Sequence, residues 1–172
     1  MAVTFVLGGA RSGKTAYALD AARRAAAAGG RRLVMIATAE ALDPEMAERI
    51  ARHRAERGPE WETREAPRAL AEAVRSLCAD EVAVIDCLTL WLSNLMLAQV
   101  DVGAAVADLC AALAASPAQV VVVSNEVGQG IVPDNPLARR FRDEAGWANQ
   151  AVAKIAERAT FVLAGLPVAL KA

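Results

Sequence analysis

Aromatic side chains are scarce in this chain: three Trp, three Phe and one Tyr in 172 residues, 4% in all. Net charge is nearly absent as well, with 19 basic residues against 20 acidic ones. A general polyanion binder carries an excess of basic residues, so that class is excluded, no nucleic-acid partner is expected and any basic function must be local. Cysteine occurs three times, as Cys78, Cys87 and Cys110. The odd number, with no C-x-x-C and no Cys/His spacing, excludes a disulfide framework and a zinc site. The three are read as small buried hydrophobes. No long apolar run is present either. The most apolar stretch, Val82 to Val100, is interrupted by Asp86, Ser93, Asn94 and Gln99, which excludes stable membrane insertion. The start, Met1 to Leu7, has no basic segment and no cleavage site, so a cytoplasmic protein is expected. Repeats, low-complexity linkers and charged tails are missing too. With 55% hydrophobic residues, the expectation is one globular domain over residues 1–172.

What is present is an alternation of β-branched runs with alanine-rich stretches, the pattern of an α/β fold with a mostly parallel sheet and helices on both faces. Val3–Leu7, Leu33–Ala37, Val82–Ile85 and Val120–Val123 read as strands, with Thr160–Leu163 and Val168–Leu170 as a final pair and Trp61–Glu65 as a short edge strand. Helices are expected over Lys14–Ala28, closed by Gly29-Gly30, and over Pro44–Arg57, Ala69–Cys78, Leu90–Gln99, Val102–Ala115 and Pro136–Arg158, the last with a possible break at Gly146.

Gly8-Gly9-Ala10-Arg11-Ser12-Gly13-Lys14-Thr15 fits G-x-x-x-x-G-K-[ST] and lies between the first strand and the first helix. Glycines allow a turn tight enough for successive N–H groups to converge on phosphate oxygens at a helix N-terminus. Lys14 is then the cation for the β- and γ-phosphates and Thr15 a ligand of Mg²⁺. A P-loop site also needs an acid near the metal, and Asp86, ending Val82-Ala83-Val84-Ile85, is the candidate. The alternative for Asp86, a helix N-cap, is weakened because Thr89 is available for that task. Glu126, after the next strand, is either a ligand-facing carboxylate or a solvated one.

The single histidine, His53, falls in a segment opened by Asp43 and Pro44, an N-cap and a first-turn proline. Met46, Ile50 and His53 share one helix face, so His53 either closes an apolar stripe or does chemistry. Arg49, Arg52, Arg54 and Arg57 surround it, forming a solvated charged face with Glu45, Glu48 and Glu56 or a surface for polyphosphate. Neighbouring cations favour the neutral imidazole, which can attack phosphorus.

Taken together, the P-loop, Ile36 to Ala39, Asp43 to Met46 leading to His53-Arg54, Trp61 to Thr63, Asp86 to Thr89, Asn125 to Pro133, Leu137 to Asp143, Gly146, Asn149 and Gln150 resemble the adenosylcobinamide kinase/adenosylcobinamide-phosphate guanylyltransferase family of cobalamin biosynthesis. The resemblance runs nearly end to end, most loosely from Arg64 to Glu81. It implies a RecA-like P-loop NTPase fold and two reactions. A nucleoside triphosphate, ATP or GTP, phosphorylates adenosylcobinamide; GTP then donates GMP to adenosylcobinamide phosphate through a guanylylated histidine, here His53. It further implies nucleotide contacts at Gly8, Gly9, Ala10, Arg11, Ser12, Gly13, Lys14 and Thr15, at Thr38, Ala39 and Glu40, at Arg54, Ala55, Glu56 and Arg57, and at Glu65 and Asp86, together with a homotrimer. Thr15 and Asp86 stand where relatives also carry serine and glutamate. Arg139, Arg140 and Arg142 receive no role. A monofunctional P-loop kinase with a structural His53 and a RecA-like regulatory or motor ATPase are the alternatives. Because the kinase step occurs at the γ-phosphate and guanylyl transfer at the α-phosphate, one fixed acceptor position cannot serve both. Either the Pro44–Arg57 segment moves or the nucleotide rebinds.

Overall fold

Strand residues with alternating destinations build the centre of the molecule. A computed structural model describes residues 2–40, 47–48, 50–51, 55 and 57–172. The strands are β1 Ala2–Gly8, β2 Arg32–Ala37, β3 Trp61–Glu65, β4 Glu81–Asp86, β5 Gln119–Asn125, β6 Arg158–Leu163 and β7 Leu166–Lys171. They form one sheet in the order β3-β2-β4-β5-β1-β6-β7, parallel throughout except for the antiparallel β6–β7 pair. The protein is therefore α/β, and Trp61–Glu65 is an edge strand as expected. The helices are α1 Lys14–Gly29, α2 Leu70–Arg75, α3 Leu88–Leu97, α4 Val102–Ala115 and α5 Pro136–Ile155.

The period-2 geometry of the strands sends neighbouring residues to opposite faces. Phe5, Ala83, Ile85, Val120 and Val122 join a core with Leu70, Val74, Trp91, Leu92, Leu109, Leu113 and Val152 from α2 to α5. Val6, Val82, Val84, Val121 and Val123 join a second core with Ala18, Ala22 and Ala26 of α1. The i, i+4 alanine stripe carries no bulk, so α1 lies close on its face. Its end follows the expected glycine signal: Gly30 is left-handed at φ 61° and caps the helix.

Several expected boundaries shift for local reasons. Thr89 is not a cap: α3 already begins at Leu88 after Cys87, and the Thr89 hydroxyl instead accepts from Asn125 Nδ2 at 2.7 Å. Pro136–Arg158 ends at Ile155, because Glu157 N–H pairs with Val3 C=O at 2.9 Å and draws Arg158 into β6. The helix does not break at Gly146. Ala145, Ala148, Asn149 and Val152 are buried around it, and their packing outweighs a glycine penalty of about 1 kcal/mol. Ala69–Cys78 contracts to α2, after which the chain turns into β4. Cys78 is exposed in that turn, not buried as expected; only Cys87 is fully buried. In the expected Pro44–Arg57 helix, Ala47, Glu48, Ile50, Ala51, Ala55 and Arg57 are helical, whereas Asp43, Pro44, Met46 and His53 lie outside the described residues.

The sheet edge where β4 begins carries a buried charge. Glu81 is fully buried and accepts from Arg64 Nη2 at 2.6 Å, Arg32 Nη2 at 2.9 Å and Cys78 N–H at 2.8 Å. Burial alone pushes the Glu81 carboxyl up; the Arg64 and Cys78 hydrogen bonds and the two positive charges outweigh it and hold it below the ordinary glutamate value. Removing the carboxylate in Glu81→Ala takes the shared acceptor from Arg64 and Arg32, which keep Glu62 and Asp80 as partners, and leaves the Cys78 N–H without its acceptor; the loss in urea unfolding at pH 7 is expected to be about 2 kcal/mol. A depressed carboxyl contributes stability above its unfolded pKa of about 4.3 and loses it as pH falls through the folded value. The stability difference between wild type and Glu81→Gln should therefore shrink as pH falls below about 4.3, and a difference constant between pH 7 and pH 3 would contradict this assignment.

Candidate functional site

The C-terminal ends of the parallel strands meet at one edge, where ligands of open α/β sheets bind. Gly8 ends β1 and Lys14 starts α1, so the eight-residue glycine loop spans the strand-to-helix junction as its sequence requires. Gly13 occupies the N-cap of α1 at φ 91° and brings no capping side chain, which leaves first-turn N–H groups to a ligand. A Cβ there would also approach Gly165 Cα to 3.3 Å. Gly8 is equally confined, since a Cβ would fall 2.4 Å from Ser12 Oγ and 2.7 Å from Val162 O. The β6–β7 turn braces the loop from outside, with Gly165 N–H donating to Ser12 C=O at 2.9 Å. Lys14 is buried and its Nζ donates to Gly9 C=O at 3.0 Å, so the cation lies across the loop. Ser12 Oγ is buried without a hydrogen-bond partner, a polar atom that the folded chain does not satisfy.

Asp86 stands at the end of β4, level with Ala37 of β2 and Val123 of β5. One strand, β5, separates it from β1, which sets the acid about 10 Å across the sheet from the phosphate-loop strand. Burial pushes the Cys87 thiol up, the Asp86 charge pushes the same way and the Lys14 charge opposes it, so acid and lysine act on one buried point. Asp86 is held from behind. Thr38 Oγ1 donates to Cys87 C=O at 2.7 Å and accepts from Cys87 N–H at 2.8 Å, and Thr38 N–H reaches Asp86 C=O at 3.3 Å. Asn94 Nδ2 in turn donates to the carbonyls of Thr38 at 2.7 Å and Pro67 at 2.9 Å. In the sequence Asn94 is read only as a polar interruption of an apolar stretch; the signal for its supporting role is an amide within the mostly apolar α3.

The end of β5 faces the same edge. Asn125 is level with Gly8, and Glu126 N–H donates to Gly8 C=O at 3.2 Å. Asn149 accepts from Ser124 Oγ at 2.7 Å and donates to Asn125 C=O at 3.3 Å, tying α5 to this strand end. Glu126 Oε1 accepts from Gly128 N–H at 2.6 Å and so shapes the following turn.

Of the remaining expected contacts, Glu65 ends β3 level with Ala37, on the same edge as Asp86 but two strands from it. Thr38, Ala39 and Glu40 follow β2, and Glu40 is paired with Arg68 at 3.1 Å. Arg57 is buried, its carbonyl accepting from Arg23 at 2.8 Å, and Ala55 is exposed. His53, Arg54 and Glu56 lie outside the described residues.

A glycine loop between β1 and α1, a buried lysine in it and an acid at a nearby strand end define a P-loop NTPase-like nucleotide-binding protein. Residues 4–170 match the family described as cobinamide kinase / cobinamide phosphate guanyltransferase, and the chain belongs to it. It is 47% identical over 169 residues to the bifunctional adenosylcobalamin biosynthesis protein CobP of Pseudomonas aeruginosa, covering 96% of this chain and 95% of that one. It is 40% identical to CobU of Salmonella typhimurium and 37% to CobU of Escherichia coli, both bearing the same bifunctional description, each over 182 residues and covering 96% of this chain and 98% of theirs.

Thr38→Val keeps the side-chain shape but leaves the Cys87 N–H and C=O unpaired beside Asp86. It should lower unfolding stability by about 2 kcal/mol and weaken nucleotide binding measured by calorimetry. Thr38→Ser should restore both, and wild-type affinity in the valine variant would remove Thr38 from the support of Asp86.

Proposed function

We propose that this chain, as one domain over residues 1–172, performs both reactions named in its family's description, and that both draw on the loop from Gly8 to Thr15. The observation that carries this reading is the position of Lys14 and Thr15 at the β1–α1 junction with Asp86 on the same sheet edge. In the kinase step the aminopropanol hydroxyl of adenosylcobinamide attacks the γ-phosphorus of ATP or GTP. The bond to the β,γ-bridging oxygen breaks, and a nucleoside diphosphate leaves. In the transferase step a neutral His53 ring nitrogen attacks the α-phosphorus of GTP and pyrophosphate departs. An oxygen of adenosylcobinamide phosphate then attacks the same phosphorus, the P–N bond breaks, and adenosylcobinamide-GDP forms.

Lys14 and the first-turn N–H groups of α1 are assigned to the charge that builds on the phosphate oxygens in each step. Thr15 and Asp86 offer two hard oxygen donors, a set that suits Mg²⁺, which takes the rest of its shell from phosphates and water. When bound, such an ion offsets charge on the leaving phosphate oxygens. Thr38, Ala39, Glu40, Arg54, Ala55, Glu56, Arg57 and Glu65 complete the assigned nucleotide contacts.

The protein is further assigned to the cytoplasm; among the described residues no helix is long and apolar enough to cross a membrane. A homotrimer is the assembly assigned to it. The exposed Leu166, Val168 and Leu170 of β7, at the sheet's open edge, support self-association. Sedimentation equilibrium should give three times the 18.0 kDa chain mass, and a monomer at micromolar concentration would remove this assignment.

Incubation with α-³²P-labelled GTP and Mg²⁺, followed by denaturation, should leave an acid-labile, base-stable GMP adduct on His53. His53→Ala should lose the adduct and keep the kinase step; label retained in that variant would move the nucleophile elsewhere. Lys14→Ala should lower both activities about a hundredfold or more. Loss of the kinase step alone would mean separate nucleotide sites.

A further inference from the structure

The chain leaving β5 passes the phosphate loop and then projects an apolar tip that stays exposed among the described residues. Residues 127–133, Val-Gly-Gln-Gly-Ile-Val-Pro, carry no charged side chain. Ile131 is 97% exposed and Val132 62%, with Leu137 58% exposed just beyond. Isolated exposed apolar residues need no explanation, but consecutive ones on a loop beside a ligand-binding edge mark an interaction surface.

The arm is held at both ends. At its root, Glu126 N–H bonds to Gly8 C=O at 3.2 Å, and the Glu126 carboxylate accepts from Gly128 N–H at 2.6 Å. At its return, Arg139 Nη1 donates to the carbonyls of Pro133 at 2.9 Å and Asp134 at 2.7 Å, while Asn135 caps α5 by accepting from Ala138 N–H at 2.8 Å. Glu126 and Arg139 thus hold their side chains against the arm's own backbone, which gives both a positioning role that the sequence left open. The apolar side chains of the tip, Ile131 and Val132, face outward.

We infer that this arm is the seat of the corrinoid acceptor, with Ile131 and Val132 contacting the macrocycle while its aminopropanol tail reaches the phosphates at the Gly8–Thr15 loop. The inference rests on the cobinamide reading above and adds the residues that receive the acceptor. Its physical basis is size and polarity. Only the short tail of a cobinamide takes part in the chemistry, and the macrocycle is far larger than the turn of a phosphate loop. The ring must therefore rest on an open surface adjoining that loop. Its periphery of methyl and neutral carboxamide groups is matched by apolar side chains and backbone amides, not by a charged patch. The 127–133 tip is uncharged, apolar and glycine-containing, and its root is hydrogen-bonded to the first residue of the phosphate loop. The β5 strand from which it springs lies between the phosphate-loop strand and the Asp86 strand, so the acceptor would approach between lysine and acid.

The test compares wild type with an Ile131→Ser/Val132→Ser double variant and with Ile131→Asp. Steady-state kinase kinetics with adenosylcobinamide should give a KM for the corrinoid raised at least tenfold in both variants. The KM for the nucleotide, the rate of GMP labelling at His53 in the absence of corrinoid, the melting temperature and the sedimentation mass should stay at wild-type values. An unchanged corrinoid KM in an active wild-type background overturns the arm assignment and leaves the two-reaction reading standing. A changed sedimentation mass with corrinoid and nucleotide KM rising together also overturns it, because the tip would then be a contact between copies of this chain. A wild-type protein that does not phosphorylate adenosylcobinamide sinks the activity reading itself.

Discussion

Backbone N–H groups converge on a phosphate where a strand end turns abruptly into a helix, and the β1–α1 junction imposes that turn on the rest of the molecule. Gly8 has no room for a Cβ against Ser12 and Val162, and Gly13, left-handed at φ 91°, would crowd Gly165 with one. Their neighbours must therefore come to them: β6 pairs along β1, and the β6–β7 turn supplies the N–H that Ser12 C=O accepts. The antiparallel β7, the one exception to the parallel sheet, follows β6 through the tight Ala164-Gly165 turn that carries this brace. The loop is thereby tied to the last hairpin through the Gly165 N–H to Ser12 C=O hydrogen bond.

The sheet order then decides what else reaches that site. With β5 between β1 and β4, the acid at the end of β4 faces the loop across one intervening strand, and the end of β5 occupies the middle. Asn125, Glu126 and the arm after them are central for that reason. Behind Asp86, the Thr38 hydroxyl satisfies both backbone groups of Cys87, and Asn94 holds Thr38 in turn. Satisfied buried networks of this kind fix one geometry because any displacement leaves a polar group unpaired. The segment carrying His53 joins β2, which ends at the site edge, to β3, which begins at the opposite edge.

Different parts of this arrangement were legible to different degrees. The central strands were readable because a parallel sheet buried on both faces demands continuous apolar, β-branched runs, and Val82–Ile85 and Val120–Val123 are such runs. The helix ends were less so. Thr89 looks like a cap by composition, yet its hydroxyl is claimed by Asn125 from another strand, a partner 36 residues away that local sequence does not reveal. Gly146 looks like a break, yet the buried residues around it hold α5 together. Cys78 looks buried because free cysteines usually are, yet it falls in a turn set by the Glu81 hydrogen bond to its N–H.

The amino-acid order alone determined the α/β class, the phosphate loop with Lys14 and Thr15, and the acid at position 86, because glycine permissiveness, strand periodicity and a lysine at fixed spacing are local properties. Tertiary structure alone decided that β5 lies between the loop and that acid, that Thr38 and Asn94 support it, and that an uncharged apolar arm stands beside it. Those are consequences of which strands pair and which buried polar groups must be satisfied, and pairing is a property of the whole chain.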